Sequence, residues 1–529
     1  MKVAAAEPAP RSILALKPGH DGAVALVEDG RLVFSREAEK DSNKRNGPLT
    51  IEDTLAAMEQ TDRVPDVIAV SGWHRELDGL LLPTGAGYHG LDEGRWRETR
   101  YLGQPVRHYS GTHERSHIYS GVAMSSFEPE SPLALLVWEG IIGAFYEWHG
   151  ARRPIRRFPV LTEPGARYAA LFCIADTDFP ATAPWPDRSA AGKLMAVAGL
   201  ADLQPPSDES QRLVESLISA ESMYPDFKWR NRTTPLYNSG IPSMELARAA
   251  RYLSNRLFDG FLGAAKQVFA NRDRPLVVAG GCGLNCEWNS LWRESGLFTD
   301  VFVPPCANDS GSAIGTAMDA YAALGGPCRL EWAVDAGPPF DMNEEPDTAE
   351  WQELPYEPQS VGRRLASGDI VAWAWGRAEI GPRALGRRSL LARATDPASR
   401  DALNAIKRRD AYRPVAPACL AEDLHTWFDA EFDDPFMLYV RSVRHPDRLP
   451  AVTHTDGTAR VQSVDTRCAE FRELLLAVRG ATGVGVVCNT SLNFPGQGFI
   501  NSMSDLTQFC RSRGIPHMVV DGRWFRRLH

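Results

Sequence analysis

The sequence predicts an α/β protein of two domains, the first built by duplication and the second richer in arginine. Three observations carry that reading. At 529 residues the chain exceeds what one hydrophobic core usually supports. A unit of apolar strand, acid–glycine turn and apolar strand occurs near the N-terminus and again around residues 133–148. A stretch over 335–359, rich in Pro, Glu and Asp and without periodicity, reads as a linker between two differently punctuated regions.

Taken in order, residues 13–16 form an apolar strand, Pro18-Gly19-His20-Asp21-Gly22 turns the chain, and 23–27 returns as a second strand. Asp29-Gly30 makes a tight hairpin into strand 32–34. Residues 113–124 read as a helix, after which Leu133–Trp138, Glu139-Gly140 and Gly143–Trp148 repeat the strand–turn–strand pattern. Two such units suggest duplicated halves with a cleft between them, although unrelated hairpins would share the pattern. Residues 243–270 place Leu246, Ala250, Leu253, Leu257, Phe261 and Ala265 on one stripe of a long amphipathic helix. Strand Leu276–Ala279 runs into Gly280-Gly281-Cys282-Gly283-Leu284-Asn285, and strand 301–303 into Pro304-Pro305. Asn308-Asp309-Ser310-Gly311-Ser312 then opens a helix of small residues through Ala322. Strand 370–375 begins the second domain beyond a boundary near residue 350, so the domains are expected to span 1–345 and 346–529.

Composition excludes several classes. No run of about 18 apolar residues occurs, so no membrane-spanning helix is expected. Residues 1–12 lack a basic segment followed by an apolar one, so no signal peptide is expected and the location inferred is cytoplasmic. Nine cysteines lack paired spacing, and Cys282 and Cys286 stand four apart without a second pair, so reduced, mostly buried thiols are expected. A formal charge of -9 disfavours a general nucleic-acid binder, so clustered arginines need another partner, such as a small phosphorylated substrate.

His113-Glu114-Arg115-Ser116-His117 puts two imidazoles on one helix face, within reach of one metal ion. It also spells the H-E-x-x-H string of zinc peptidases, with Glu114 as general base. Two nitrogens need further ligands, and the candidates are acids at turns or strand ends, Glu139 and Asp309. Asp309 also precedes a helix N-terminus, where phosphate is welcome. Mixed His and carboxylate ligation suits Fe2+, Zn2+ or Mn2+ without choosing among them. Two histidines on a surface helix would show the same spacing. Glycine turns at 19–22, 139–143 and 280–283 let the backbone approach phosphate or ribose, and together they point to a nucleotide cleft.

In the second domain, residues 376–386 read as strand, polar turn and an Arg-bearing helix start at Arg383. Lys407, Arg408, Arg409, Arg413 and Arg460 follow, and Asn489-Thr490-Ser491 stands at the end of apolar strand 485–488. Such a set can surround a phosphate with guanidinium forks, an ammonium, an amide and a hydroxyl. Any one of them alone would read as a solvated surface residue.

The motifs GHDGAVALVEDG, GGCGLNCEWN, NDSGSAIG, GRAEIGPRALGRRSLLA, YRPVAP, THTDGTARVQ and NTSLN occur in this order. On them the chain resembles, nearly end to end, the O-carbamoyltransferases of antibiotic biosynthesis, a family that also contains the nodulation carbamoyltransferases. KPGHDG, THERSH, LVWEG and ESMYP look most like its 3-hydroxymethylcephem and ansamycin members. The resemblance implies an ASKHA-type (actin/hexokinase-like, duplicated) N-terminal domain, similar to that of the enzyme that threonylcarbamoylates tRNA, and a YrdC-like α/β C-terminal domain. It implies that the C-terminal domain converts carbamoyl phosphate and ATP to carbamoyl-adenylate. The N-terminal domain then moves the carbamoyl group to a hydroxyl of an antibiotic or other natural product, releasing AMP.

By motif, Arg383, Lys407, Arg413, Arg460, Asn489 and Ser491 would contact carbamoyl phosphate and ATP, and Lys193, Gly280, Gly281 and Asn285 the adenylate. His113, His117, Glu139 and Asp309 would hold the metal, Fe2+ ahead of Zn2+ or Mn2+, while Mg2+ accompanies ATP and His20 stands near the acceptor. The implied partners are carbamoyl phosphate, ATP and a small hydroxylated acceptor, with no nucleic acid or membrane; a homodimer is compatible with the resemblance. Two departures stand out. Many relatives carry Asp at the position of Glu139, and the position of Glu114 is often His.

The chemistry suits these residues. A carbamoyl carbon is a poor electrophile, which a good leaving group and a Lewis-acid metal both counter. The attacking hydroxyl must lose its proton, and His20, with an unperturbed imidazole pKa of about 6.5, is the natural base. A reactive adenylate would hydrolyse in open water, so a closed passage between domains is expected, with segments 88–101 and 167–178 lining the acceptor pocket. The competing readings are three. A zinc peptidase leaves the arginines and glycine turns unexplained, a tRNA-modifying relative meets the acidic charge, and a non-catalytic binder would not keep both residue sets.

Overall fold

The computed structural model describes residues 12–528 except 43, 45, 78, 79, 102, 152 and 272; of the segment read for a signal peptide, residues 1–11 lie outside the described residues. Apolar runs at the start of the chain pair as an antiparallel meander, β1 (Ser12–Lys17), β2 (Ala23–Glu28) and β3 (Arg31–Glu37). Asp29 and Gly30 both have positive φ in the turn between the last two. β4 (Val67–Val70), β5 (Arg95–Tyr101) and β6 (Gln104–Ser110) extend the sheet to the order β3-β2-β1-β4-β6-β5, with β4 parallel to β1 and to β6. Helix α1 (His113–Met124) follows.

The pattern then starts again. β7 (Leu133–Trp138), β8 (Gly143–Trp148) and β9 (Arg156–Pro159) form a second meander, to which β10 (Leu276–Ala279) and β11 (Val301–Phe302) add in parallel, giving β9-β8-β7-β10-β11. Between β9 and β10 run α2 (Pro164–Ala175), α3 (Arg188–Ala198) and α4 (Met244–Val268). α5 (Cys286–Glu294) precedes β11, and α6 (Ser312–Ala323) follows it. Each sheet is thus a meander whose first strand carries two parallel strands, with one helix after the last. This is the duplicated actin/hexokinase-like architecture. α1 and α6 cross between the sheets at backbone contact: a Cβ on Gly315 would lie 1.7 Å from the Ser116 carbonyl oxygen, so only glycine fits. Ile118, Val122, Ala313 and Ala317 fill the space between the sheets, while Trp138, Trp288 and Trp292 pack with α2–α4 on the far face of the second.

β12 (Trp351–Leu354), β13 (Val371–Ala374), β14 (Arg388–Arg393), β15 (Ala416–Leu420), β16 (Gln462–Val464), β17 (Val486–Ser491), β18 (His517–Val520) and β19 (Arg523–Arg527) form a third sheet, ordered β12-β19-β18-β13-β14-β17-β15-β16. α7 (Pro358–Ser367) and α9 (Ala469–Thr482) cover one face, with α8 (Pro397–Ile406) and α10 (Met503–Arg513) on the other. Alternate residues of β13 feed the two cores, as a period of two requires. This mixed α/β unit is consistent with the YrdC-like fold that the resemblance implies.

Two sequence expectations are corrected. The linker expected to reach residue 359 contains edge strand β12, whose Glu353, with nearby Glu345 and Glu350, pairs with Arg523 and Arg527 of β19. Its acidic, solvent-facing side chains look like linker composition. No helix starts at Arg383 either. Residues 376–387 form an irregular loop round the buried Glu379 carboxylate, which accepts from the backbone N–H groups of Leu385 (2.6 Å), Arg388 (3.3 Å) and Arg387 (3.4 Å). Among the described residues no helix is long and apolar enough to cross a membrane. All nine cysteines are free.

Candidate functional site

α1 is buried on every side, so each polar residue on it needs a partner. Thr112 caps it by accepting from the Arg115 N–H at 3.1 Å. The Glu114 carboxylate accepts from the Gly90 N–H (2.9 Å) and the Tyr146 hydroxyl (2.5 Å) and pairs with Arg157 (3.0 Å). Arg115 pairs with Asp319 at 2.9 Å. Of the ionisable residues on the helix, that leaves the two histidines. Their Nε2 atoms are 3.1 Å apart, and each lies close to Asp309 Oδ1, at 3.5 Å from His113 and 3.4 Å from His117. Glu139, in the β7–β8 turn, completes a group in which one ligand atom from each of the four residues lies within 4.8 Å of the others. His113 and Asp309 sit at matching places in the repeat, each just after the last parallel strand of its half.

The donor set fits a divalent ion: two imidazole nitrogens and two carboxylates. Two nitrogens bound at about 2.1 Å to one ion would stand about 3.0–3.4 Å apart, and the observed spacing falls there. The Nδ1 atoms of both histidines are buried without hydrogen-bond partners, so packing orients the rings. His113 lies against Tyr88 (4.4 Å between centroids) and Trp73 (5.0 Å). Burial lowers His113 to about 3, keeping it neutral and ready to ligate. Burial pushes Glu139 up to about 7, with Asp309 adding to the effect. The Tyr88 hydroxyl donates to both Glu139 oxygens (2.9 and 3.0 Å), and the Ile142 N–H donates at 3.1 Å. Burial also pushes the Asp309 carboxyl up, but Lys17 and His113 outweigh it and hold the group well below the carboxylate range. Lys17 is fully buried, 3.1 Å from Asp309 and 3.9 Å from the Trp73 ring centre. Because Glu114 is committed to Gly90, Tyr146 and Arg157, outside the metal-binding group, the peptidase reading loses its base.

His20 lies half-buried in the β1–β2 turn. Its Nδ1 is 2.9 Å from Asp21 Oδ2 and 3.5 Å from Asp309 Oδ2. An Nδ1–H shared with Asp21 leaves the Nε2 lone pair free. Asp21 itself has a left-handed backbone (φ +49°) and accepts from the Asn46 amide at 2.6 Å. Burial pushes its carboxyl up, yet the hydrogen bond from His20 holds it below the usual value on balance.

A cavity of about 1810 Å³ is lined by His20, Glu139 and Asp309 and, from the third sheet, by Arg383, Lys407, Arg413, Arg460, Asn489 and Ser491. Burial, together with neighbouring arginines, lowers Arg383 and Arg409 to about 9. The Nε–H groups of Arg383 and Arg460 are buried without partners. A mutually repelling, desolvated set of guanidinium groups is organised for an anion. Lys407 donates to the Ser491 carbonyl (2.6 Å) and hydroxyl (3.2 Å) oxygens. The Asn489 amide donates to the Ala384 carbonyl (3.1 Å) and to Gln462 (2.9 Å). Arg383 donates to the Leu284 carbonyl at 2.9 Å, tying the arginine loop to the glycine turn after β10.

Lys193, Gly281 and Asn285 also line the cavity; Gly280 does not. At Gly280 φ is +96° and a Cβ would meet the Trp138 carbonyl oxygen at 2.5 Å, so glycine is required where the chain leaves β10 beside the end of its parallel neighbour β7. Asn285 caps α5 through its carbonyl oxygen, with its Nδ2 buried and unpartnered. Lys193 lies over the Phe172 ring at 5.4 Å. The segments expected to line the acceptor pocket contribute little: Tyr88 from the first, Tyr168 and Ala169 from the second. Arg167 instead is buried, donating to the carbonyls of Thr162, Leu217 and Ala220. Lys17, Asp21 and Tyr88 are not among the site residues read from the sequence. Lys17 and Asp21 stand inside the KPGHDG motif, which is the signal that could have found them.

Comparison with known proteins adds to this geometry. Residues 245–318 match the family model described as Carbamoyltransferase N-terminus, and residues 362–527 the one described as Carbamoyltransferase C-terminus. The 3'-hydroxymethylcephem-O-carbamoyltransferase of Amycolatopsis lactamdurans is 47% identical, over 97% of this chain and 99% of its own length. The protein of the same name from Streptomyces clavuligerus is 46% identical over 98% and 99%. Nodulation protein U of Rhizobium tropici is 34% identical over 97% and 96%.

Proposed function

The chain belongs to the carbamoyltransferase family, and from that premise we propose that it is an ATP-dependent O-carbamoyltransferase of small natural products. Residues 346–529 make carbamoyl-adenylate: water releases carbamate and phosphate from carbamoyl phosphate, and the carbamate oxygen attacks the α-phosphorus of ATP as pyrophosphate departs. Residues 1–345 pass the carbamoyl group to an acceptor hydroxyl. The observation that carries this reading is one cavity lined both by a cluster of guanidinium groups, with the Nε–H of Arg383 and of Arg460 buried and unpartnered, and by the His20 and Asp309 cluster. The relatives' name makes a primary alcohol on a cephem scaffold the first acceptor to try, with ansamycin-like alcohols next.

Arg383, Lys407, Arg413 and Arg460 hold the phosphates, Asn489 and Ser491 orient them, and Lys193, Gly281 and Asn285 contact the adenylate, with Gly280 shaping that turn. In the transfer step the acceptor oxygen attacks the carbamoyl carbon while His20 Nε2 takes the hydroxyl proton. The bond from the carbamoyl carbon to the AMP oxygen breaks, and AMP departs with the electron pair. Asp21 holds the Nδ1–H so that Nε2 remains the acceptor. A divalent ion such as Fe2+, held by His113, His117, Glu139 and Asp309, would supply Lewis acidity, and Mg2+ would enter with the nucleotide.

Incubation with carbamoyl phosphate, ATP and a panel of hydroxylated natural products, 3'-hydroxymethylcephem among them, is read by mass spectrometry for carbamoyl addition. Product and AMP should form in equal amounts, and both should disappear with Lys407→Ala. Product formed without ATP, or undiminished by that substitution, would overturn the proposal.

A further inference from the structure

The cationic wall of the cavity has an unusual neighbour. His454 lines the same space as Arg413 and Arg460, in a tight loop closed by hydrogen bonds from the His454 N–H to the Thr458 carbonyl (2.7 Å) and from the Gly457 N–H to the His454 carbonyl (3.0 Å). Nothing above uses it. Its tautomer follows from a short chain of hydrogen bonds. Asp456 faces Arg251 at 3.8 Å and accepts from the Thr458 hydroxyl at 2.6 Å. That hydroxyl has spent its only hydrogen, so at 3.2 Å it accepts from His454 Nδ1–H. Nε2 then carries a lone pair, and it has no protein partner among the described residues. Burial lowers the imidazole to about 4; Asp456 opposes the shift and Arg460 adds to it, so the ring stays neutral.

An acceptor in this place is a poor neighbour for phosphate oxygens, which the arginines serve. It suits an N–H donor. We propose that His454 Nε2 accepts a hydrogen bond from the amino group of carbamoyl phosphate, so that the site selects a carbamoyl phosphate over acyl phosphates of the same size. Arginine and lysine side chains offer only donors and cannot read that amino group. The Asn489 carbonyl oxygen is a second acceptor on this wall, buried without a partner where it stands, so the His454 substitutions decide which of the two reads the amino group. The inference rests on the reading of this wall as the carbamoyl phosphate site. His454 is therefore a specificity-determining residue that acts in binding.

The test uses the full-length protein and calorimetric titration with carbamoyl phosphate, acetyl phosphate (a methyl in place of the amino group) and inorganic phosphate. Wild type should prefer carbamoyl over acetyl phosphate by about 10- to 100-fold, the range for one buried donor gaining or losing its partner. His454→Asn keeps a donor for Thr458 but lacks Nε2, and should shrink the preference to roughly threefold or less while phosphate binding and the KM for ATP stay put. His454→Gln should restore part of the preference. Thr458→Val, which frees the tautomer without touching the ring, should reduce it as well and serves if the Asn variant does not fold. A preference that survives His454→Asn overturns the role of His454 alone. A loss confined to ATP affinity overturns it too, pointing instead to the adenine amino group. Wild type that binds no carbamoyl phosphate overturns the site assignment itself.

Discussion

Replacing Tyr88 by phenylalanine removes one oxygen from the wall of the metal-binding group and leaves the ring where it is. The hydroxyl is shared between the two Glu139 oxygens at 2.9 and 3.0 Å, in a buried site. A hydrogen bond to a charged acceptor is worth about 1.5–3 kcal/mol, and about 1.4 kcal/mol is a factor of ten, so the carboxylate should bind a divalent ion about 10- to 100-fold more weakly in Tyr88→Phe. Two effects act in the same direction: Glu139 loses an orienting contact, and it loses a donor that favours its charged form. The ring still packs on His113 at 4.4 Å and on Trp73 at 5.3 Å, so stability should change by only about 1 kcal/mol. Chelator competition with Zn2+ gives the metal dissociation constant, and thermal unfolding of the same samples reports the fold. Metal affinity within about twofold of wild type would refute the claim that Tyr88 positions a ligand.

The pH dependence of metal binding follows from Glu139, which burial raises to about 7. A cation needs its deprotonated form, so affinity should be full above that pH and fall about tenfold per unit as pH drops below it. His113, held near 3, contributes nothing in that range, and a flat titration between pH 6 and roughly pH 8 would contradict the assignment. The two glycines after β10 should separate cleanly. Gly280→Ala, at φ +96° and 2.5 Å from a carbonyl oxygen, should cost about 1–3 kcal/mol in denaturant unfolding. Gly281→Ala, with nothing within 4 Å, should unfold like wild type yet bind AMP more weakly in calorimetry.

The meanders were legible because alternation and the Asp29-Gly30 turn are local signals. The spacing of His113 and His117 likewise reports a shared helix face without any tertiary information. The meeting of those histidines with Glu139 and Asp309 depends on two sheets being stacked; local pattern offers the two acids only as candidates at turns or strand ends, and the resemblance to a family joins all four. Arg383 was placed on a helix because Arg-Ala-Leu-Gly-Arg is rich in helix formers. The buried Glu379 carboxylate and the positive φ of Gly381 and Gly386 prevail there. Lys17 is an isolated lysine in an apolar strand, and only the tertiary position of Asp309 reveals its use. Gly280 and Gly281 read alike in sequence, and only the nearby Trp138 carbonyl tells them apart.

The helical excursion between β9 and β10 supplies Tyr168, Trp185, Arg188 and Lys193 to the cavity, while the matching interval between β3 and β4 has Ile51–Met58 as its main helix. Apart from Lys193, the residues assigned to phosphate, proton and ion stand outside this excursion, on strands, turns, loops and other helices. The excursion hangs outside that frame as a replaceable panel. Relatives built on this plan are free to redraft the panel and so change which alcohol they admit, leaving the reacting groups untouched.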